Sequence, residues 1–230
     1  MIRLVLIPGM MCDARMWGDL PARLGHPVTH ILPTSADTMA TLAAQILTEA
    51  PPTFALAGLS MGGILAMEVA AQAPHRVTHL ALLDTNPLAE RPEIQANRGP
   101  QIARAQTDLA EVLRDEMKPN YLFPGPHKAE ILDLCMDMAL SLGPEVFARQ
   151  SLALKNRPDQ TATLAAFKGP ALILMGEADT LCPRDRHDLM HALMPHSDLV
   201  IIPNAAHLPT LEQPGPTLAA LTRWLAQDRT

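Results

Sequence analysis

The chain has 230 residues, 18% of them charged, and a formal net charge of −6. That length suits one domain with a full hydrophobic core, or a core carrying a small insertion. An acidic balance without any Lys/Arg run excludes a nucleic-acid partner, and three scattered cysteines, Cys12, Cys135 and Cys182, make no disulfide framework and point to a reducing compartment.

The pattern begins with Arg3 to Ile7, a short Leu/Val/Ile run ending at Pro8-Gly9, which reads as a strand buried on both faces. It is too short, and too quickly followed by Pro-Gly, for a signal peptide. A helix is predicted over Ala14 to Leu24, with Asp13 as N-cap and Met16, Trp17, Leu20 and Leu24 on its core face. Val28 to Leu32 reads as a second strand and Thr38 to Ala50 as a helix that stops before Pro51-Pro52. Phe54 to Leu59 is the third strand, Met61 to Ala73 a helix ended by Pro74, and Val77 to Leu83 the fourth strand, closing on Asp84. The apolar stretch Phe54 to Ala71 approaches membrane length. It contains Gly58, Ser60, Gly62, Gly63 and Glu68, so a buried strand and helix explain it better than a span. A soluble, cytoplasmic chain with no membrane partner is expected.

From Pro87 to Phe167 no strand is predicted. Helical patterns near Glu93–Gln106, Asp108–Met117, Lys128–Ser141 and Glu145–Leu154 are punctuated by Pro119, Pro124-Gly125-Pro126 and Gly143-Pro144. The stretch 87–167 therefore reads as a helical lid inserted between two sheet strands, with 1–86 and 168–230 forming the core. Its apolar residues, among them Leu113, Met117 and Met138, are expected to bury against the site below. Alternation resumes with the strand Ala171 to Met175, the helix Arg184 to Met194, the strand Leu199 to Ile202 and a closing helix Pro216 to Gln227. Strands separated by helices imply a parallel sheet.

Gly58-Leu59-Ser60-Met61-Gly62-Gly63 sits between a strand and a helix, as the nucleophile elbow G-x-S-x-G requires. The pattern alone fits equally an ordinary strand-to-helix turn with Ser as N-cap. A serine hydroxyl becomes nucleophilic only with an imidazole to take its proton and a carboxylate to orient that imidazole. In open α/β sheets such groups collect at the carboxyl ends of the strands. Asp179 follows one strand and His207 follows the last, giving the order Ser…Asp…His. Asp84 is the rival acid, better suited to hydrogen bonding at its strand end. His187 and His191, at i and i+4, have a zinc-like spacing but no third ligand, and read as a solvated helix face. Cys182 lacks an elbow. Arg149 and Lys155 read as solvated surface rather than contacts for an anionic substrate.

These stretches together resemble the α/β-hydrolase family, in its small carboxylesterase-like branch with a helical lid. The matching residues are Leu6-Ile7-Pro8-Gly9-Met10, the elbow, Leu82-Leu83-Asp84-Thr85, Gly176-Glu177-Ala178-Asp179 through Pro183, and Ala206-His207 followed by Leu211-Glu212-Gln213-Pro214. They span almost the whole chain. The resemblance implies Ser60 as nucleophile, His207 as general base and Asp179 as its orienting acid. It also implies a cofactor-free, metal-free reaction on a small-molecule ester. The oxyanion hole would use the main-chain N–H groups of Met61 and Met10, with Met11 next to Met10 as the other choice. Relatives often have His-Gly where this chain has Pro8-Gly9. An N-terminal hairpin common in the family is not evident, so about six strands in the order 2-1-3-4-5-6 are expected by analogy. A substrate pocket is expected from Met11, Leu113, Met117, Met138, Leu181 and Leu208, apolar and Met-rich, suited to a short or medium acyl ester or a methyl ester. The same triad would also serve thioester or carbon–carbon bond hydrolysis and perhydrolysis or haloperoxidation. The fold without catalysis would serve as a ligand-binding scaffold.

Overall fold

Six short runs of Leu, Val, Ile and Ala become six parallel strands in one sheet, ordered β2-β1-β3-β4-β5-β6. A computed structural model describes residues 1–117 and 121–228, apart from the side chains of Glu116 and Met117. In chain order the elements are β1 (Leu4–Ile7), a 3₁₀ turn (Ala14–Trp17), α1 (Leu20–Arg23), β2 (Val28–His30), α2 (Met39–Glu49), β3 (Phe54–Leu59), α3 (Met61–Gln72) and β4 (Val77–Leu83). Then come α4 (Pro92–Thr107), α5 (Leu109–Val112), a π-helical turn (Leu113–Met117), α6 (Lys128–Lys155) and α7 (Thr161–Ala166). The chain closes with β5 (Ala171–Gly176), α8 (Arg184–Leu193), β6 (Asp198–Ile202), α9 (Pro209–Glu212) and α10 (Pro214–Leu225).

Burial matches the strand order. Every residue of β1, β3 and β5 is buried, which suits a parallel sheet covered on both faces. Side chains alternate between two cores. Val5, Ile7, Leu56, Leu80, Leu82 and Ile173 pack on one face against α2, α3 and α8. Leu4, Leu6, Ala55, Ala57, Leu172 and Leu174 pack on the other against Trp17, Leu221 and Trp224. Each large apolar side chain buried in this way contributes roughly 1.5–3 kcal/mol.

Three sequence expectations change. The helix predicted over Ala14 to Leu24 is two pieces, because Gly18 takes a left-handed backbone (φ 54°) between them. The two helices expected around Gly143-Pro144 run on as α6, broken at Gly143, whose φ of 80° and ψ of 172° are not helical. Apart from Tyr121 and Leu154, which line the cavity at the sheet edge, the apolar residues of 87–167 do not gather over the site. Leu109, Val112, Leu113 and Phe147 complete one core, while Ile131, Cys135 and Met138 complete the other.

Register places the strand ends in one row. Ile7 pairs with Gly58, Leu59 with Leu83, Leu83 with Leu174 and Gly176 with Ile202. The loops that follow β1, β3, β4, β5 and β6 therefore open on one edge. No helix among the described residues is long and apolar enough to cross a membrane.

Candidate active site

Ser60 stands at the tip of the turn from β3 into α3, with φ 56° and ψ −118°. A non-glycine residue there is strained, and only a surrounding structure that fixes the backbone sustains it. Glycines make the turn possible. A Cβ on Gly58 would lie 2.1 Å from the Gly62 carbonyl oxygen, and one on Gly62 would lie 2.1 Å from that of Ile7. The turn is also tied down. The Ser60 N–H donates to Leu83 O at 2.9 Å, and the Thr85 hydroxyl donates to Ser60 O at 2.7 Å. Ser60 does not cap α3 with its side chain, so the N-cap alternative falls. Its Oγ lies instead 3.0 Å from His207 Nε2.

His207 comes from the loop after β6, and its Nδ1 is 2.9 Å from Asp179 Oδ2. Both side chains are nearly inaccessible. Burial acts to raise the Asp179 carboxyl, but the neighbouring His207, the hydrogen bond from its ring and the N–H groups of Leu181 and Cys182 outweigh it and hold the carboxyl low. An ionised Asp179 only accepts, so Nδ1 carries the imidazole proton and Nε2 is left to accept from the Ser60 hydroxyl. Glu212, the acid of the A-H-x-x-x-x-E-x-P stretch, fixes the histidine loop. Its Oε2 accepts the N–H groups of Ala206 and Leu208, each at 3.0 Å, and its Oε1 accepts that of Phe123 at 2.6 Å. Burial nonetheless raises its carboxyl.

Asp84 does not touch His207. It is fully buried, with Oδ1 accepting the Gly176 N–H at 2.9 Å and Oδ2 unpartnered among the described residues. Burial and the charge of Asp179 push its carboxyl well up, toward the neutral form.

The loop after β1 lies against the elbow, since a Cβ on Gly9 would be 3.4 Å from Ser60 Cβ. The N–H groups of Met10 and Met61 have no hydrogen-bond partner among the described residues. The Met11 N–H is already engaged. It donates at 2.8 Å to Oε1 of Gln150, whose Nε2 donates to Pro33 O at 3.0 Å. Gln150 is fully buried on α6 and was not singled out from the sequence. The signal was present, because it sits within the buried set Val146, Phe147, Ser151 and Leu154, where a polar residue is unexpected. Left-handed backbone among non-glycine residues occurs, in the described chain, at Met11, Ser60, Asp84 and Asn204, all in these edge loops.

A cavity of 180 Å³ opens on Ser60 and His207. Its apolar lining includes Met10, Met61, Ile64, Leu154 and Leu181, but Asn86, Glu90, Arg98 and Arg157 line it too. The expected apolar, Met-rich pocket is therefore corrected to a mixed one. Leu181 does line it, and Leu208 lines a small recess beside Gly9, Ser60 and His207. Met11, Leu113 and Met138 do not, because all three are fully buried in the two cores. The expectation for Met117 lies outside the described side chains. Arg149 is occupied elsewhere, donating to Thr34 O.

The histidine pair on α8 is not a solvated face. His187 is fully buried, accepts the Thr85 N–H at Nε2 (3.3 Å) and lies 3.3 Å from Pro183 O at Nδ1, while His191 Nδ1 is 2.9 Å from Ser197 Oγ. Burial lowers the His187 pKa to about 4. The potential metal-ligand atoms of Asp179, Cys182 and His207 lie within 4.8 Å of one another. Two of them are already joined in the Asp179–His207 hydrogen bond. Burial and the charges of Asp179 and Asp84 push the Cys182 thiol well up, away from the thiolate a metal would need.

A parallel sheet with a strained serine turn after β3, an acid after β5 and a histidine after β6 has the layout of the hydrolase class of α/β proteins. The alpha/beta hydrolase family profile matches residues 4–221, and the chain belongs to that family. A pimeloyl-[acyl-carrier protein] methyl ester esterase of Klebsiella pneumoniae is 26% identical, the match covering 96% of this chain and 93% of that protein. One of the same name from Aromatoleum aromaticum is also 26% identical, covering 92% and 93%. Among solved structures, a malate-bound thermophilic esterase from Thermogutta terrifontis superposes with a TM-score of 0.89 at 28% identity, covering all of this chain and 91% of that one. The enol-lactonase of Burkholderia xenovorans shares the fold, with a TM-score of 0.86 at 20% identity over 98% and 92%.

Proposed function

We propose that the protein hydrolyses a small carboxylic ester through an acyl-Ser60 intermediate. The observation that carries this reading is the relay Ser60–His207–Asp179 beside two unpartnered main-chain N–H groups. In this mechanism His207 Nε2 takes the Ser60 proton as Oγ attacks the carbonyl, and Asp179 steadies the imidazolium. The Met10 and Met61 N–H groups receive the oxyanion, Met10 rather than Met11 because Gln150 already holds the Met11 N–H. His207 then protonates the departing alcohol and, as base, activates the water that frees the acid. The methyl ester in the relatives' names and the small cavity support a methyl ester or a short to medium acyl ester. Residues 87–167 act as the lid over this site.

Ser60→Ala should lower turnover of a p-nitrophenyl ester by about 10⁴-fold or more with the fold intact by circular dichroism. A variant close to wild type would overturn the mechanism. Covalent labelling of wild type by a fluorophosphonate at Ser60 is the companion result, and a wild-type protein that neither labels nor turns over esters would be a scaffold instead.

A further inference from the structure

Two arginines share one buried carboxylate beside the reacting serine. Arg98 donates from Nε to Glu90 Oε2 at 3.0 Å and brings Nη2 to 2.9 Å of the same oxygen as an ion pair, and Arg157 donates from Nη1 to Glu90 Oε1 at 2.6 Å. The three side chains are only 13%, 9% and 5% exposed for Arg98, Arg157 and Glu90. Two guanidinium charges thus face one carboxylate, leaving one positive charge over in a nearly dry wall. Buried charges are normally matched, because an unpaired one is costly.

The surplus points inward. All three residues line the cavity that opens on Ser60 and His207. Arg98 Nη1 has only the soft sulfur of Met10, 4.0 Å away, and Arg157 Nη2 has no acceptor among the described residues, its Nε being used on Leu88 O. The same trio lines an adjoining cavity of 540 Å³, where Arg91 and Arg186 also contribute. The smaller cavity alone is below the roughly 300–1,000 Å³ of ordinary small-molecule sites, and with its neighbour it falls within that range. Burial and the proximity of Arg98 both act against the Arg157 charge, and Glu90 only partly offsets them.

We infer that the ester this protein cleaves carries a carboxylate away from its reacting carbonyl, and that Arg98 and Arg157 bind it. A single negative charge completes the balance that Glu90 leaves open, and the free guanidinium edges match carboxylate geometry. This inference rests on the hydrolase reading and adds the substrate's charge to it. Arg98 and Arg157 recruit and orient the anion, and a neutral ester of the same length forgoes both contacts.

The test compares monomethyl esters of dicarboxylic acids, in graded chain lengths, with methyl esters of monocarboxylic acids of equal length. A second series carries the carboxylate on the alcohol side, and a third replaces it with a phosphate. Wild type should prefer a carboxylate-bearing ester by roughly 10- to 100-fold in kcat/KM, mainly through KM. That preference should fall at least about tenfold in R98Q and in R157Q. Free dicarboxylates should inhibit wild type competitively at least about tenfold better than the matching diols, a result that needs no variant to fold. Turnover of the neutral esters without any preference for the anionic ones would overturn this inference and leave ester hydrolysis standing. Preference for the phosphate series would overturn the carboxylate assignment. Failure to cleave any of the esters would remove the hydrolase reading, and this inference with it.

Discussion

The two halves of the site are built differently. The serine, histidine and acid hang from strand ends, and each is fixed by groups at the same sheet edge: Ser60 by Leu83 and Thr85, Asp179 by the Leu181 and Cys182 N–H groups, His207 through Glu212. The loop Pro8–Cys12 is held instead from outside the sheet, by Gln150 on α6, 139 positions from Met11 along the chain, and by the Met16 sulfur that accepts the Gly9 N–H at 3.1 Å. In the proposed mechanism, nucleophile activation is therefore a property of the sheet, whereas the placement of the oxyanion donor depends on how the helices between β4 and β5 dock. The main chain of this loop is steadied by side chains from outside it, Gln150 doing so from a distance.

The largest effect should come from breaking the sheet-built half. Asp179→Asn removes the carboxylate that selects the His207 tautomer, and kcat should fall about 10⁴-fold without loss of fold. A drop below about tenfold would mean that Asp84 or another acid orients the imidazole. Breaking the other half should cost less in rate and more in stability. Gln150→Leu leaves the buried Met11 N–H and Pro33 O without partners, at about 1–3 kcal/mol each, and lets the oxyanion loop drift. We expect kcat to fall about 100-fold with little change in KM, together with a lower thermal midpoint. An unchanged kcat would show that the sheet places this loop unaided.

The smallest effect is a pH dependence of the elbow's support. His187 is held neutral with its pKa near 4, while an unfolded imidazole titrates near 6.5. Between these values the unfolded chain binds the extra proton, so the stability that neutral His187 contributes is whole above about pH 6.5 and is lost as the pH falls toward 4. The loss is on the order of 3 kcal/mol. Urea unfolding at about pH 7 and about pH 4.5 should give a shallower pH slope for His187→Gln than for wild type. Parallel slopes would dismiss the imidazole as the sensor.

Sequence made the sheet, and the meeting of Ser60, Asp179 and His207 at its edge, readable for one reason. Parallel strands end at one edge, so Ser60, Asp179 and His207 were placed by the strand that each follows, with no need of side-chain detail. The support was harder to read because it is made of contacts between residues far apart in the chain. Nothing local marks Glu90, Arg98 and Arg157 as partners, and charged residues are usually solvated. Gln150 and His187 did leave a trace. Each interrupts a buried helical face, His187 three positions before the buried Met190, and a polar residue there must find a partner. The misread helix start is of a third kind, since Gly18 stood in plain view as a breaker.

The break at Gly143 has a mechanical consequence. Before it, α6 packs Ile131, Cys135 and Met138 into the core on one side of the sheet and Ala139 into the core on the other; after it, Val146, Phe147 and Leu154 enter that second core. The helix works as a strap thrown over the carboxyl edge and fastened at both ends. It cannot swing away as one body without stripping apolar surface from both layers at once. The loop Pro8–Cys12, hydrogen-bonded through the Met11 N–H to Gln150 of this helix, is tied to the same strap.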